Sequence, residues 1–254
     1  MTVERRLVDV PDGRLCLRLH LPDVAARVPC VVACHGLGAS KDSDKYLMLG
    51  AELPLAGLAL ARFDFRGCGE SSGREEDTTV ATRIEDVEAV LAALAADPRL
   101  SGAFGLLGSS MGGFVALHVA ARARIAVSAV VTWNAPSDLR QLGSTDRRDR
   151  PGVGVPFLRE LATHAYESTP AGVSHHLIVH GEADDVVPVE HGAVLHARAA
   201  APCDLRIIPG ADHRLTDLAH RREAIAASVA WLGTFLHKPV RRARASSALS
   251  KTPS

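Results

Sequence analysis

The sequence predicts an α/β domain, with a mostly parallel central sheet, helices on both faces and an antiparallel hairpin at the N-terminus. Three observations carry that prediction. Apolar runs without alternation, such as Cys30-Val31-Val32-Ala33-Cys34, mark strands covered on both faces. Segments with apolar residues three and four apart lie between such runs, the clearest being Val80, Ile84, Val87, Leu91 and Leu94. A chain of 254 residues with 47% hydrophobic content is also long enough to bury one large core.

Residues 4–10 and 14–20 alternate apolar and polar positions across Pro11-Asp12-Gly13, which reads as a hairpin with one wet face. Strand 30–34 runs into His35-Gly36-Leu37-Gly38. A helix over 44–56 and a buried strand over 58–63 complete a βαβ unit. The glycine-punctuated loop Asp64-Phe65-Arg66-Gly67-Cys68-Gly69-Glu70-Ser71 precedes the helix carrying Val80 to Leu94, which Asp97-Pro98 ends. Strand 104–108, helix 111–123 and strand 125–133 follow. Periodicity breaks over 134–172, where Pro136, Pro151, Pro156 and Pro170 accompany the charged run Asp146-Arg147-Arg148-Asp149-Arg150. This reads as a short cap insertion with one or two helices around 157–166. Strand 175–180, helix 189–199 and strand 203–208 come next, then a turn at Pro209-Gly210-Ala211-Asp212-His213. A last helix sets Ile225, Val229, Leu232 and Leu236 on one face. The expected domain spans 1–236; residues 237–254, basic and poor in apolar side chains, read as a disordered tail.

Acidic and basic residues balance at 29 each, so net charge points to neither nucleic acid nor an anionic membrane. Five cysteines without a CxxC pair read as buried thiols in a reducing compartment. The N-terminus lacks the apolar core of a signal peptide, and no run approaches membrane-span length. The expectation is a cytoplasmic monomer or homodimer acting on a small molecule.

The chemistry centres on Gly108-Ser109-Ser110-Met111-Gly112. Strand, sharp turn and helix around Gly-x-Ser-x-Gly describe a nucleophile elbow, in which flanking glycines leave room where a Cβ would meet backbone. Ser110 is therefore the candidate nucleophile. A serine hydroxyl needs a histidine to take its proton, and that histidine needs a carboxylate to set its tautomer. Of twelve histidines, His213 lies just after the last predicted strand, in a turn before a helix. Asp184 and Asp185 follow the preceding strand and are the candidate acids; Asp212, adjacent to the histidine, is a weaker rival. Nucleophile, acid and base then fall in the chain order of a hydrolase triad. Two backbone N–H groups suit a developing oxyanion: Met111, after the nucleophile, and Leu37, after a central strand. His175, His176 and His180 sit on strand positions that splay to opposite faces, so they read as no metal site. Arg147, Arg148 and Arg150 read as a solvated loop.

Together, Gly108 to Gly112, His35-Gly36, Asp64 to Ser71, His180-Gly181-Glu182-Ala183-Asp184-Asp185-Val186-Val187-Pro188 and Gly210-Ala211-Asp212-His213 resemble the α/β-hydrolase superfamily. The likeness is to its cinnamoyl and feruloyl esterases and to the serine aminopeptidase and monoacylglycerol-lipase-like branch, over about residues 3–236. It implies that the acid is Asp184, four residues after His180, and that the oxyanion donors are Leu37 and Met111. It also implies an α/β-hydrolase fold and cofactor-free cleavage of carboxylic esters through an acyl-enzyme on Ser110. The short, arginine-rich insertion departs from the cinnamoyl esterase lid, so aromatic-acid specificity is not carried over. The same machinery could serve a thioesterase, an amidase or peptidase, or an acyltransferase, and the fold could serve a non-catalytic ligand-binding protein.

Overall fold

The computed structural model describes residues 1–122, 124–140 and 153–237. In chain order the strands are β1 (Thr2–Val10), β2 (Gly13–Leu21), β3 (Val28–Cys34), β4 (Ala59–Phe63), β5 (Leu100–Ser109), β6 (Val127–Trp133), β7 (His176–Gly181) and β8 (Cys203–Ile208). The helices are α1 (Asp44–Leu55), α2 (Val80–Ala95), α3 (Met111–Arg122), α4 (Val155–Ala162), α5 (Glu190–Arg198) and α6 (Leu218–Leu236). The strands form one sheet in the order β1-β2-β4-β3-β5-β6-β7-β8. The hairpin pairs antiparallel internally and on β4, and every pairing from β4 to β8 is parallel.

Alternate residues of each central strand feed two separate cores. Cys30, Val32 and Cys34 of β3 pack with α2 and α3, while Val31 and Ala33 pack with α1 and α6. In β6, Val130 joins the first core and Ala129, Val131 and Trp133 the second. This is why these strands read as unbroken apolar runs: neither face sees water. Each fully buried Leu, Val or Phe contributes about 1.5–3 kcal/mol, so the two cores hold the sheet as a rigid platform. The edge hairpin differs, with Val3, Arg5, Leu7 and Asp9 exposed on its outer face.

The insertion after β6 is pinned at both ends. An antiparallel bridge joins Asp138 to Ser168, closing its base. Phe157 of α4 is fully buried, and the Glu160 carboxylate accepts hydrogen bonds from the N–H groups of Val80 and Ala81, the latter at 2.9 Å. A helix from the insertion thus caps the open end of α2, as a carboxylate at an N-terminus does. The expected helix around 157–166 is α4, shifted by the proline that opens it. Asp146, Arg147, Arg148, Asp149 and Arg150 lie outside the described residues. So does the rest of the expected tail, residues 238–254; His237 itself donates from Nε2 to the Ala56 carbonyl at 3.1 Å.

The expectation of five buried thiols is corrected at one position: Cys16, Cys30, Cys34 and Cys68 are buried, whereas Cys203 on the edge strand β8 is half-exposed. Burial pushes the thiols of Cys30 and Cys68 each up to about 12, which keeps them protonated and unreactive. No helix among the described residues is long and apolar enough to cross a membrane.

The contact that matters most for the site is between α3 and β3. A Cβ on Gly112 would collide with the Cys34 carbonyl oxygen and lie 2.6 Å from that of His35, so only glycine lets the first turn of α3 sit there. Gly112→Ala is therefore expected to lower unfolding free energy by about 1–3 kcal/mol, measured from the urea midpoint. An unchanged midpoint would mean that α3 can slide off β3.

Candidate active site

The carboxyl ends of β3, β5, β6, β7 and β8 lie side by side, and each hands the chain to one of the loops named above. Ser110 follows β5 with φ +55°, a left-handed conformation that non-glycine residues enter at a cost of about 1–2 kcal/mol. Its N–H donates to the Trp133 carbonyl at 2.8 Å, and its own carbonyl accepts from Gly113 at 2.9 Å and Phe114 at 3.2 Å. The strained turn is thus tied to the next strand on one side and to α3 on the other.

Ser110 Oγ lies 3.1 Å from His213 Nε2, and His213 Nδ1 lies 2.7 Å from Asp184 Oδ2. An ionised carboxylate only accepts, so Nδ1 carries the proton and Nε2 is left to accept from the serine. Asp184 is buried, and its other oxygen accepts from the N–H groups of Val186 at 2.9 Å and Val187 at 2.8 Å. Burial alone would raise this carboxyl; the hydrogen bonds from His213 and from Val187 and Val186 outweigh it and hold the group below the usual carboxylate range. Asp185 is exposed. Asp212 is occupied in its own turn, where it accepts from the N–H and hydroxyl of Thr216 at 2.7 and 2.5 Å.

The loop after β3 passes against the serine: a Cβ on Gly36 would lie 3.2 Å from Ser110 Cβ. The Leu37 N–H has no acceptor among the described residues. Met111 opens α3, where the first N–H groups have no intrahelical partner. His35 fixes the loop from behind. Its Nδ1–H donates to the Gly36 carbonyl at 2.8 Å and its Nε2 accepts from the Phe65 N–H at 3.1 Å. Burial pushes this imidazole down to about 4, so it stays neutral and keeps both bonds. Further along, the Gly38 N–H donates to Glu75 Oε1 at 3.0 Å, and Arg83 holds that carboxylate at 3.3 Å.

The three histidines expected on this strand go elsewhere, and the expected start at 175 is corrected: β7 begins at His176, because His175 has φ +53° and cannot continue a strand. His176 bonds Thr132 Oγ1 at 2.9 Å, His180 donates to the Val187 carbonyl at 2.9 Å, and His175 packs edge-on against Phe235. Among the described residues no cluster of three or more His, Cys, Asp or Glu side chains is arranged to hold a metal ion.

Residues 29–154 match the family model of the alpha/beta hydrolase fold. The chain is a member of the α/β-hydrolase superfamily. It is 26% identical over 199 residues to the human protein named palmitoyl-protein thioesterase ABHD10, mitochondrial, covering 76% of this chain. It spans 61% of the length of that relative. Among solved structures, Est1E from Butyrivibrio proteoclasticus with ferulic acid bound superposes with a TM-score of 0.77 at 20% identity, covering 92% of this chain and 100% of that one. Mouse alpha/beta hydrolase domain-containing protein 10 gives a TM-score of 0.74 at 20% identity, covering 91% and 99% of the two chains. At such identities these superpositions establish the fold.

In this α/β-hydrolase two further polar residues at the site escaped the sequence reading. Asn134, at the tip of β6, is treated below. Lys45, in the first turn of α1, donates from Nζ to Ser109 Oγ at 2.7 Å, directly beneath the elbow. Nothing in the sequence pairs positions 45 and 109, since α1 reads only as an amphipathic cover. Burial lowers the Lys45 amine to about 8 from its ordinary 10.5; Arg221 and Arg214 add to the shift, while Asp212 and Asp184 oppose it. The folded protein therefore releases this proton first. Between about pH 8 and 10.5 the unfolded chain binds the extra proton, so this group's contribution makes stability rise with pH across that window. In ¹³Cε-lysine NMR, the resonance lost in Lys45→Arg should inflect near pH 8. Inflection near pH 10.5 would contradict the described environment.

Proposed function

We propose that this chain is a serine hydrolase that cleaves carboxylic esters of small to medium acyl or alcohol groups, with Ser110 as nucleophile, His213 as base and Asp184 as its orienting acid. The observation that carries the reading is the continuous relay from Ser110 Oγ to His213 Nε2, 3.1 Å, and from His213 Nδ1 to Asp184 Oδ2, 2.7 Å.

His213 Nε2 takes the Ser110 proton as Oγ attacks the acyl carbon. The Leu37 and Met111 N–H groups receive the negative charge that develops on the carbonyl oxygen; losing one such donor costs about 3 kcal/mol of barrier lowering. The tetrahedral intermediate collapses, the alcohol leaves with the proton from His213, and the acyl group remains on Ser110. A water then attacks, His213 again takes a proton, and the acid departs with Ser110 restored. Asp184 stays ionised throughout and stabilises the imidazolium. A second reading, cleavage of thioesters by the same steps, is favoured by the name of the human relative. Free buried thiols fit a reducing compartment such as the cytoplasm.

A fluorophosphonate probe should label Ser110 stoichiometrically. Ser110→Ala should lower p-nitrophenyl ester turnover by roughly four to six orders of magnitude, and Asp184→Asn by about four. Folded wild-type protein that resists the probe would overturn the hydrolase reading. Matched oxygen and sulfur esters of one acyl chain, compared by kcat/KM, decide between the two substrate classes; activity confined to the sulfur series would replace the ester assignment.

A further inference from the structure

The proposed chemistry requires three loops, from three different strands, to meet within a few tenths of an ångström. In the described structure two adjacent residues, Trp133 and Asn134, together bond to all of them. β6 lies between β5, which carries Ser110, and β7, which leads to Asp184. Its last residue, Trp133, accepts from the Ser110 N–H at 2.8 Å. The next residue, Asn134, has φ +50°, a conformation that asparagine tolerates better than other side-chain-bearing residues, and its N–H donates to the Val179 carbonyl of β7 at 2.9 Å.

That turn directs the amide inward, where it is 1% exposed. Oδ1 accepts from the Gly181 N–H at 2.8 Å, at the point where β7 becomes the acid loop. Nδ2 donates to the Asp212 carbonyl at 3.1 Å and the His213 carbonyl at 2.8 Å. One acceptor and two donors are what an asparagine amide offers, and each has a backbone partner.

Building on the proposed hydrolase reading, we infer that Asn134 is a positioning residue, which sets the acid loop and the histidine loop in register with the nucleophile through its three side-chain hydrogen bonds. Aspartate keeps the acceptor for Gly181 but turns a negative oxygen towards two carbonyls. Glycine keeps the left-handed backbone and loses all three bonds.

The test compares Asn134→Gly and Asn134→Asp with wild type, each normalised to the fraction of sites that a fluorophosphonate titrates. Misplacement of the base by about 1 Å costs on the order of 10²-fold. Per titrated site, both variants should therefore lose about 10²-fold in kcat, with KM changed less than threefold. The acid limb of the kcat/KM profile should move to lower pH, because a loosened Asp184 stabilises the imidazolium less. A residue that merely stabilises the fold would lower the titrated fraction and leave kcat per site and the acid limb unchanged; that result overturns the inference. So would failure of both variants to fold. A readout independent of turnover is the low-field proton of His213 Nδ1–H, expected to be resolved in wild type and broadened or lost in Asn134→Gly. If wild type is not labelled yet this proton still responds to Asn134, the hydrolase reading fails and the positioning role stands. If wild type is labelled and the proton does not respond, the positioning role alone fails.

Discussion

Everything at the candidate site depends on a close approach of backbone to backbone, where the first turn of α3 rests on the end of β3. Gly112 permits it, because any side chain there would meet the carbonyls of Cys34 and His35. The same contact decides several things together. It forces the reversal at Ser110, and it brings the Gly36–Leu37 loop to one side of the serine while Met111 opens the helix on the other. The left-handed turn costs about 1–2 kcal/mol. Burial of Phe114, Val115 and Ala116 in the core below offsets that strain, and the hydrogen bond from Ser110 to Trp133 holds it in place.

Around that contact, the polar groups are fixed by bonds made to the backbone. His35 bridges Gly36 and Phe65, Asp184 receives Val186 and Val187, and Asn134 spans Gly181, Asp212 and His213. Each of these side chains is buried, and a buried polar group left without a partner costs about 1–3 kcal/mol, so each loop has a strong preference for one position. The arrangement is preorganised in the sense that the proposed chemistry would need: dipoles and donors are in place before any charge develops. His180 adds a wall, with its neutral ring against Gly192 and 3.7 Å from the Asp184 carboxylate.

Lys45 and Lys41 differ in their charge partners. Lys41, nearby in the chain, is buried among Asp42, Asp64 and Glu70, which hold its amine protonated. Lys45 has only the Ser109 hydroxyl at hydrogen-bond distance, and burial lowers it. Two lysines four residues apart thus have opposite electrostatic fates, decided by which carboxylates the fold brings to each.

Sequence alone determined the strand and helix order, the two-sided burial of the central parallel strands and the location of the elbow motif, because these depend on local periodicity and on a short local pattern of glycines around one serine. It also narrowed the candidate acid to Asp184 or Asp185, with Asp212 a weaker rival, and the family resemblance pointed to Asp184, whose carboxylate lies against His213. The uses of Asn134, Lys45, Glu75 and His35 were not legible. Asn134 sits 47 residues from Gly181 and 79 from His213, and Lys45 sits 64 from Ser109. No periodicity spans such separations; only the side-by-side packing of strand ends brings these groups within 3 Å, and hydrogen bonding is decided at that range.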